Sequence, residues 1–237
     1  MIDEFLCRPT FSEFPAWPCP ACKRGSLRFD HNLLRRWPNK GIVYGIEEGY
    51  LFRGEDDGVF SILLKCADYP CNQGVAVLGD YSSRIVDAHT YETEITYTVR
   101  DAHPAIMLFD VAEKLIPEMV RVPLLRSFAL YWRDPQACAA AIRTTIEALV
   151  DTLGVSRTKD GKRVSLGQRL RRLETSPHAQ IVEAAKAIKD IGNDGAHGDA
   201  VDRGKLLASY ELLEIEMRGL FNNDEVRKQT LISRLKS

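Results

Sequence analysis

The sequence predicts an α+β chain: a β-rich N-terminal domain over residues 1–110, then an antiparallel α-helical bundle over residues 111–237. Three observations carry this reading. Up to about Asp110 the chain is rich in aromatics, glycine and β-branched residues in short alternating runs. Two cysteine pairs, Cys19-Pro20-Ala21-Cys22 and Cys66-Ala67-Asp68-Tyr69-Pro70-Cys71, abut those runs. Beyond Asp110 the texture changes once, to long apolar patterns of helical period.

Leu27-Arg28-Phe29, Gly49-Tyr50-Leu51-Phe52, Phe60 to Leu64 and Val75 to Leu78 read as strands. Glu55-Asp56-Asp57-Gly58 reads as a hairpin turn between the middle two. Thr90 to Val99 alternates, with Tyr91, Thr93, Ile95 and Tyr97 on one face, and adds a strand or linker before Pro104.

Each cysteine pair stands at the mouth of a strand. A Cys-x-x-Cys turn offers two thiolates to one metal, and the four-residue spacing of the second pair stays within the range of structural zinc sites. Gly25 and Gly74 follow the two knuckles where the chain must turn into a strand. Cys19, Cys22, Cys66 and Cys71 are therefore expected to hold a structural Zn2+ in a zinc ribbon, where metal replaces a core too small to fold alone. The alternative is a disulfide or a redox pair. No βαβ pattern surrounds Cys19, and the chain opens without a charged n-region and apolar h-region, so a cytoplasmic protein with reduced thiols is expected. Cys138, in an alanine-rich helix, reads as a buried free thiol.

In the second half, Pro117 and Pro123 interrupt any long helix, and Pro123 is expected at the first turn of a helix running through Phe128 and Tyr131 towards Trp132. Asp134-Pro135 opens a helix that ends at Gly154, with Cys138, Ile142, Ile146, Leu149, Val150 and Leu153 inward. Ser165 caps a helix holding Leu166, Leu170 and Leu173. His178 to Ile191 and Asp202 to Phe221 give two more, the last with Leu206, Tyr210, Leu213 and Met217 inward. Residues after Asn222 read as a charged tail. Trp17, Trp37 and Trp132 read as packing residues.

A net charge of −1 over 237 residues argues against a wholesale electrostatic grip on nucleic acid. The charge is uneven, however. Arg157, Lys159, Lys162, Arg163, Arg169, Arg171 and Arg172 form a basic stretch, either a solvated loop and helix face or a phosphate track. No apolar run reaches the roughly 18 residues of a membrane span. No P-loop, dinucleotide fingerprint or nucleophile elbow occurs.

Ile188-Lys189-Asp190-Ile191-Gly192-Asn193-Asp194-Gly195-Ala196-His197 is poor helix chemistry, since an interior glycine costs about 1 kcal/mol against alanine. Arg143 and Glu147, one turn apart on an alanine-lined helix, are expected to reach Asn193 or His197 through a buried polar network.

With Ser127, Tyr131-Trp132-Arg133-Asp134, Ala141-Ile142-Arg143, Glu147 and the Leu166–Leu173 helix, that string makes the segment from about Pro123 to Phe221 resemble the bacterial domain-of-unknown-function family 4145. The cysteine pairs resemble that family's common zinc-ribbon extension. The family is similar to the HEPN superfamily, helical bundles found in toxins, abortive-infection proteins and restriction-linked defence systems. The resemblance implies a HEPN-like bundle, a homodimer, and RNA, DNA or a protein partner in a defence or stress system. Active HEPN ribonucleases carry an arginine, a polar residue and a histidine. Laid on this chain, the polar residue is Asn193 and the histidine His197, but the arginine position falls on Gly192. The expected function is therefore a non-catalytic binding module, with Arg157, Lys162, Arg163, Arg169 and Arg172 as binding candidates. The alternative is a metal-independent ribonuclease toxin in which His197 and Asn193 act with Arg143 or Lys189.

Overall fold

From Asp56 to Cys66 every second residue is buried, Phe60, Ile62 and Leu64 among them, while those between face outward or lie half-buried. Such alternation loads one face of a strand with the apolar side chains. The computed structural model describes residues 4–8, 10–39, 44–47, 50–53, 56–87, 92–109, 116–197, 200–221 and 233–234. The chain forms two compact units, Asp3–Leu108 with Phe128–Asp134, and Phe109–Ser127 with Pro135–Ser237.

The first unit holds β1 (Thr10–Phe11), β2 (Leu27–Arg28), β3 (Leu34–Pro38), β4 (Tyr44–Glu47), β5 (Tyr50–Arg53), β6 (Asp56–Cys66), β7 (Gly74–Asp87) and β8 (Glu92–His103). Six of these make one antiparallel sheet in the order β1-β8-β7-β6-β2, with β3 also paired to β6, while β4 pairs β5. β6 and β7 pair from Asp56 opposite Ser83 to Lys65 opposite Gly74, so the second cysteine pair brackets the start of the turn joining them, with Cys66 closing β6 and Cys71 in the turn.

The turn expected at Glu55–Gly58 is corrected by this register. Asp56, Asp57 and Gly58 begin β6, opposite Ser83, Ser82 and Tyr81, and Glu55 lies outside the described residues. Asp56 is buried and accepts a hydrogen bond from Tyr81 Oη at 3.0 Å. A Cβ on Gly58 would stand 2.2 Å from the Trp37 carbonyl oxygen, so the glycine there serves close strand approach.

An aromatic core covers one face of the sheet. Phe60 and Tyr97 meet edge to face at 5.1 Å, and Phe11 and Trp17 at 5.3 Å. Phe128–Asp134 belongs to this core: Trp132 packs on Trp17 at 6.0 Å, and Tyr131 Oη donates to the Cys7 carbonyl at 2.9 Å. Trp37 departs from the packing role expected of it and is 52% exposed on β3.

The second unit contains five helices among the described residues. α1 (Glu118–Leu130) begins directly after Pro117 and runs through Pro123, which therefore sits inside a helix and not at its first turn. The lost hydrogen bond falls on the carbonyl of Met119, a residue that is 50% exposed. α2 (Pro135–Thr152) buries Cys138, Ile142, Ile146, Leu149 and Val150. It ends in a Schellman motif: the Val155 amide donates to the Val150 carbonyl and that of Gly154 to Asp151, with Gly154 at φ +80°. A short hairpin, β9 (Thr158–Lys159) and β10 (Lys162–Arg163), precedes α3 (Leu166–Leu173), α4 (Val182–His197) and α5 (Arg203–Phe221). Ser165 and Gln168 cap α3 reciprocally. α4 runs six residues past the expected end at Ile191, through the glycine string to His197. The tail after Asn222 lies almost wholly outside the described residues.

Candidate functional site

Two local structures bring chemistry-bearing side chains together. The first is the four-cysteine cluster. β2 pairs with β6 so that Leu27 stands opposite Cys66, and Pro18 bridges Ser26, which places the Cys19–Cys22 knuckle beside the β6–β7 turn. Lys23 and Asn72, each following the last cysteine of its pair, take left-handed conformations at φ 60° and 46°. The tight reversals aim amides at sulfur: Gly25 N–H donates to Cys22 Sγ at 3.4 Å and Asp68 N–H to Cys66 Sγ at 3.3 Å.

Cys19 Sγ lies 3.7 Å from Cys71 Sγ, Cys22 Sγ 3.6 Å from Cys66 Sγ, and all four sulfurs fall within 4.8 Å of one another. A tetrahedron with metal–sulfur bonds of about 2.3 Å has edges of about 3.8 Å. The cluster could therefore hold a metal ion with little rearrangement. Gly25 makes the approach possible, because a Cβ there would stand 2.6 Å from Cys66 Sγ and 2.8 Å from Asp68 Cβ. An exposed ion pair, Arg24 to Asp68 at 3.2 Å, joins the two knuckles. The Gly25 amide lowers the Cys22 thiol to about 7, while loss of solvation pushes Cys66 up to about 12. A bound cation would favour the thiolate form of its cysteine ligands.

The second structure is a basic cleft in the helical unit. Asp160 and Gly161 both take positive φ, 50° and 73°, so a two-residue turn closes β9 on β10. The cleft, about 630 Å³, is lined by Lys159, Lys162, Arg163, Arg171 and Arg172 together with Asp160 and Gln168. All five cations are exposed, and among the described residues none has a carboxylate within ion-pair distance. The hairpin is absent from the sequence expectations, although Asp160-Gly161 between basic residues is its signal.

Arg169, also a binding candidate by sequence, is placed differently. It is 2% exposed, pairs with Asp151 and donates to the Val155 carbonyl at 2.7 Å. Arg157 pairs with the same Asp151 at 2.6 Å, and this hydrogen bond raises its pKa. Glu147 lies 3.6 Å from Arg143 and 3.9 Å from Arg157. The network thus runs along α2 to the hairpin and α3. Among the described residues no hydrogen bond or ion pair joins Asn193 to Arg143 or Glu147. Lys189 pairs with Asp190 at 2.6 Å. His197 closes α4, and its side chain lies outside the described residues. Asp151 was not among the candidates, yet it is the shared acceptor of two arginines. Its spacing of four from Glu147, itself four from Arg143, was the available signal.

Residues 126–234 match the family Domain of unknown function (DUF4145) and residues 10–105 match Domain of unknown function (DUF8608). The helical motifs thus lie within the segment that matches the family model they resemble, and the cysteine-bearing sheet matches a second model. No curated protein and no solved structure matches the chain. Among the described residues no helix is long and apolar enough to cross a membrane.

Proposed function

We propose that the chain is a non-catalytic binding module of a bacterial defence or stress system, a zinc-ribbon-like β unit joined to a HEPN-like bundle that holds nucleic acid in its basic cleft. The carrying observation is the set of five cations that hairpin and helix hold around one cleft beside a single carboxylate, Asp160, with none of the five in an ion pair among the described residues. Like charges so placed repel, and a phosphate backbone relieves the repulsion while releasing its own counterions. Arg169 is not part of this surface, because Asp151 and the Val155 carbonyl already occupy it. Zinc suits the cysteine cluster, since four soft thiolates at tetrahedral separations are its preferred structural donors. The module works in the cytoplasm as a homodimer. Gly192, where the resemblance calls for an arginine, favours recognition over cleavage.

The test is anisotropy of labelled single-stranded RNA, single-stranded DNA and duplex over a salt series, with cleavage scored in the same tubes. Binding should weaken with salt. The double substitution Lys162→Gln and Arg163→Gln should lower the steepness of log K against log salt by about 1.4 on single strands. Absence of binding to all three at low salt would sink this reading. Cleavage that His197→Ala abolishes without loss of stability would install the ribonuclease alternative instead.

A further inference from the structure

β1 covers only two residues of β8, pairing Thr10 with Thr98 and Phe11 with Tyr97. From Ser12 the chain bends away, while β8 extends back to Glu92. Among the described residues no strand pairs with the outer edge of β8 from Glu92 to Thr96. Between the departing chain and this edge lies a cleft of about 950 Å³.

Its floor is aromatic. Phe14 stacks on Phe29 at 5.4 Å with an interplanar angle of 20°, and lies 4.8 Å from Tyr97. Its rim is acidic. Glu13, Glu92 and Glu94 line it, all exposed, and among the described residues none has a cationic partner. His31 also lines the cleft, and among the described residues no lysine or arginine does.

We propose that this cleft binds an extended peptide segment of a partner protein that carries arginine or lysine at alternate positions. The peptide adds as a strand to the outer edge of β8, where main-chain groups that pair with no strand among the described residues supply its hydrogen bonds. Its cationic side chains pair with Glu92 and Glu94 on one face of the added strand, and the residues between them lie against the aromatic floor on the other, where Thr93, Ile95 and Tyr97 face. Charge selects this occupant. Three carboxylates repel phosphate, which excludes nucleic acid, and an uncharged strand would leave all three without partners. The cleft belongs to the β unit and shares no residue with the basic cleft of the helical unit, so the two readings fail separately.

The experiment titrates the full-length, metal-loaded protein into a fluorescein-labelled decapeptide of alternating threonine or valine and arginine, beside the same peptide with citrulline at each arginine. Saturable binding of the arginine peptide is expected, with citrulline weakening it about tenfold or more. The double substitution Glu92→Lys and Glu94→Lys, at exposed positions, should weaken it comparably at unchanged Tm, and Glu13→Lys on the opposite wall should act in the same direction. Binding should slow amide exchange from Glu92 to Thr96. Equal affinity for the citrulline peptide, indifference to both sets of substitutions, or no binding at millimolar peptide would each overturn the proposal.

Discussion

Gly192 of α4 and Arg143 of α2 lie so close that a Cβ on Gly192 would stand 2.4 Å from Arg143 Cβ. One turn on, a Cβ on Gly195 would stand 2.7 Å from Ala139 Cβ and 2.6 Å from the Gln136 carbonyl oxygen. The two glycines extend the buried face of Ile181, Ala185 and Ile188 by steps of four and three. Their cost in helix propensity is thus offset by a close helix–helix contact that no larger residue permits.

Gly192→Ala should therefore destabilise the protein, by about 1–3 kcal/mol, despite alanine's better propensity. Gly219 in α5 has nothing within 4 Å of a built Cβ, and Gly219→Ala should stabilise by up to about 1 kcal/mol. Urea unfolding of both variants gives the two signs; a stabilising Gly192→Ala would refute the packing account.

Arg169→Met should cost about 3–5 kcal/mol, because it leaves the Asp151 carboxylate and the Val155 carbonyl without their buried donor. Arg157→Ala removes an exposed partner of the same carboxylate and should cost at most about 1 kcal/mol. Denaturation midpoints that fail to separate the two would show that Arg169 is not the buried anchor.

Purified protein should carry one zinc per chain, and chelation or Cys66→Ser should unfold the β unit while α2 and α4 stay helical. Gly25→Ala, which changes no ligand, should also weaken metal retention, since its methyl group meets Cys66 Sγ. Acidification should release the metal, as protons compete for the thiolates. Metal content by mass spectrometry beside far-ultraviolet dichroism decides; a metal-free protein with an intact sheet would refute the site.

Trp132→Ala should destabilise the β unit by about 3–5 kcal/mol, although Trp132 lies some thirty residues past the end of β8. Native-state hydrogen exchange should show faster opening in β6, β7 and β8. Acceleration confined to the helices would contradict its place in the aromatic core.

Much of the site was legible because it is local. Cysteine spacing reports knuckle geometry directly, and a capping box such as Ser165 with Gln168 is complete within four residues. The strand limits were less so. Asp56, Asp57 and Gly58 look like turn formers, yet Asp56 is buried against Tyr81, twenty-five positions away in the sequence. Pro123 likewise reads as a helix start, whereas it stands inside α1, which begins at Glu118.

The sequence by itself determined an α+β chain, the thiol cluster, the helix ends at Ser165 and Gly154 and the apolar faces of the helices, because each depends on residue chemistry at fixed short spacing. Only the tertiary structure decided that Arg169 is buried while Lys162 and Arg163 are exposed, that Gly192 seats α4 on Arg143, and that among the described residues no strand pairs with the outer edge of β8 from Glu92 to Thr96. Those outcomes depend on which surfaces meet, and a charge or a glycine carries no mark in the sequence of the neighbour that will lie against it.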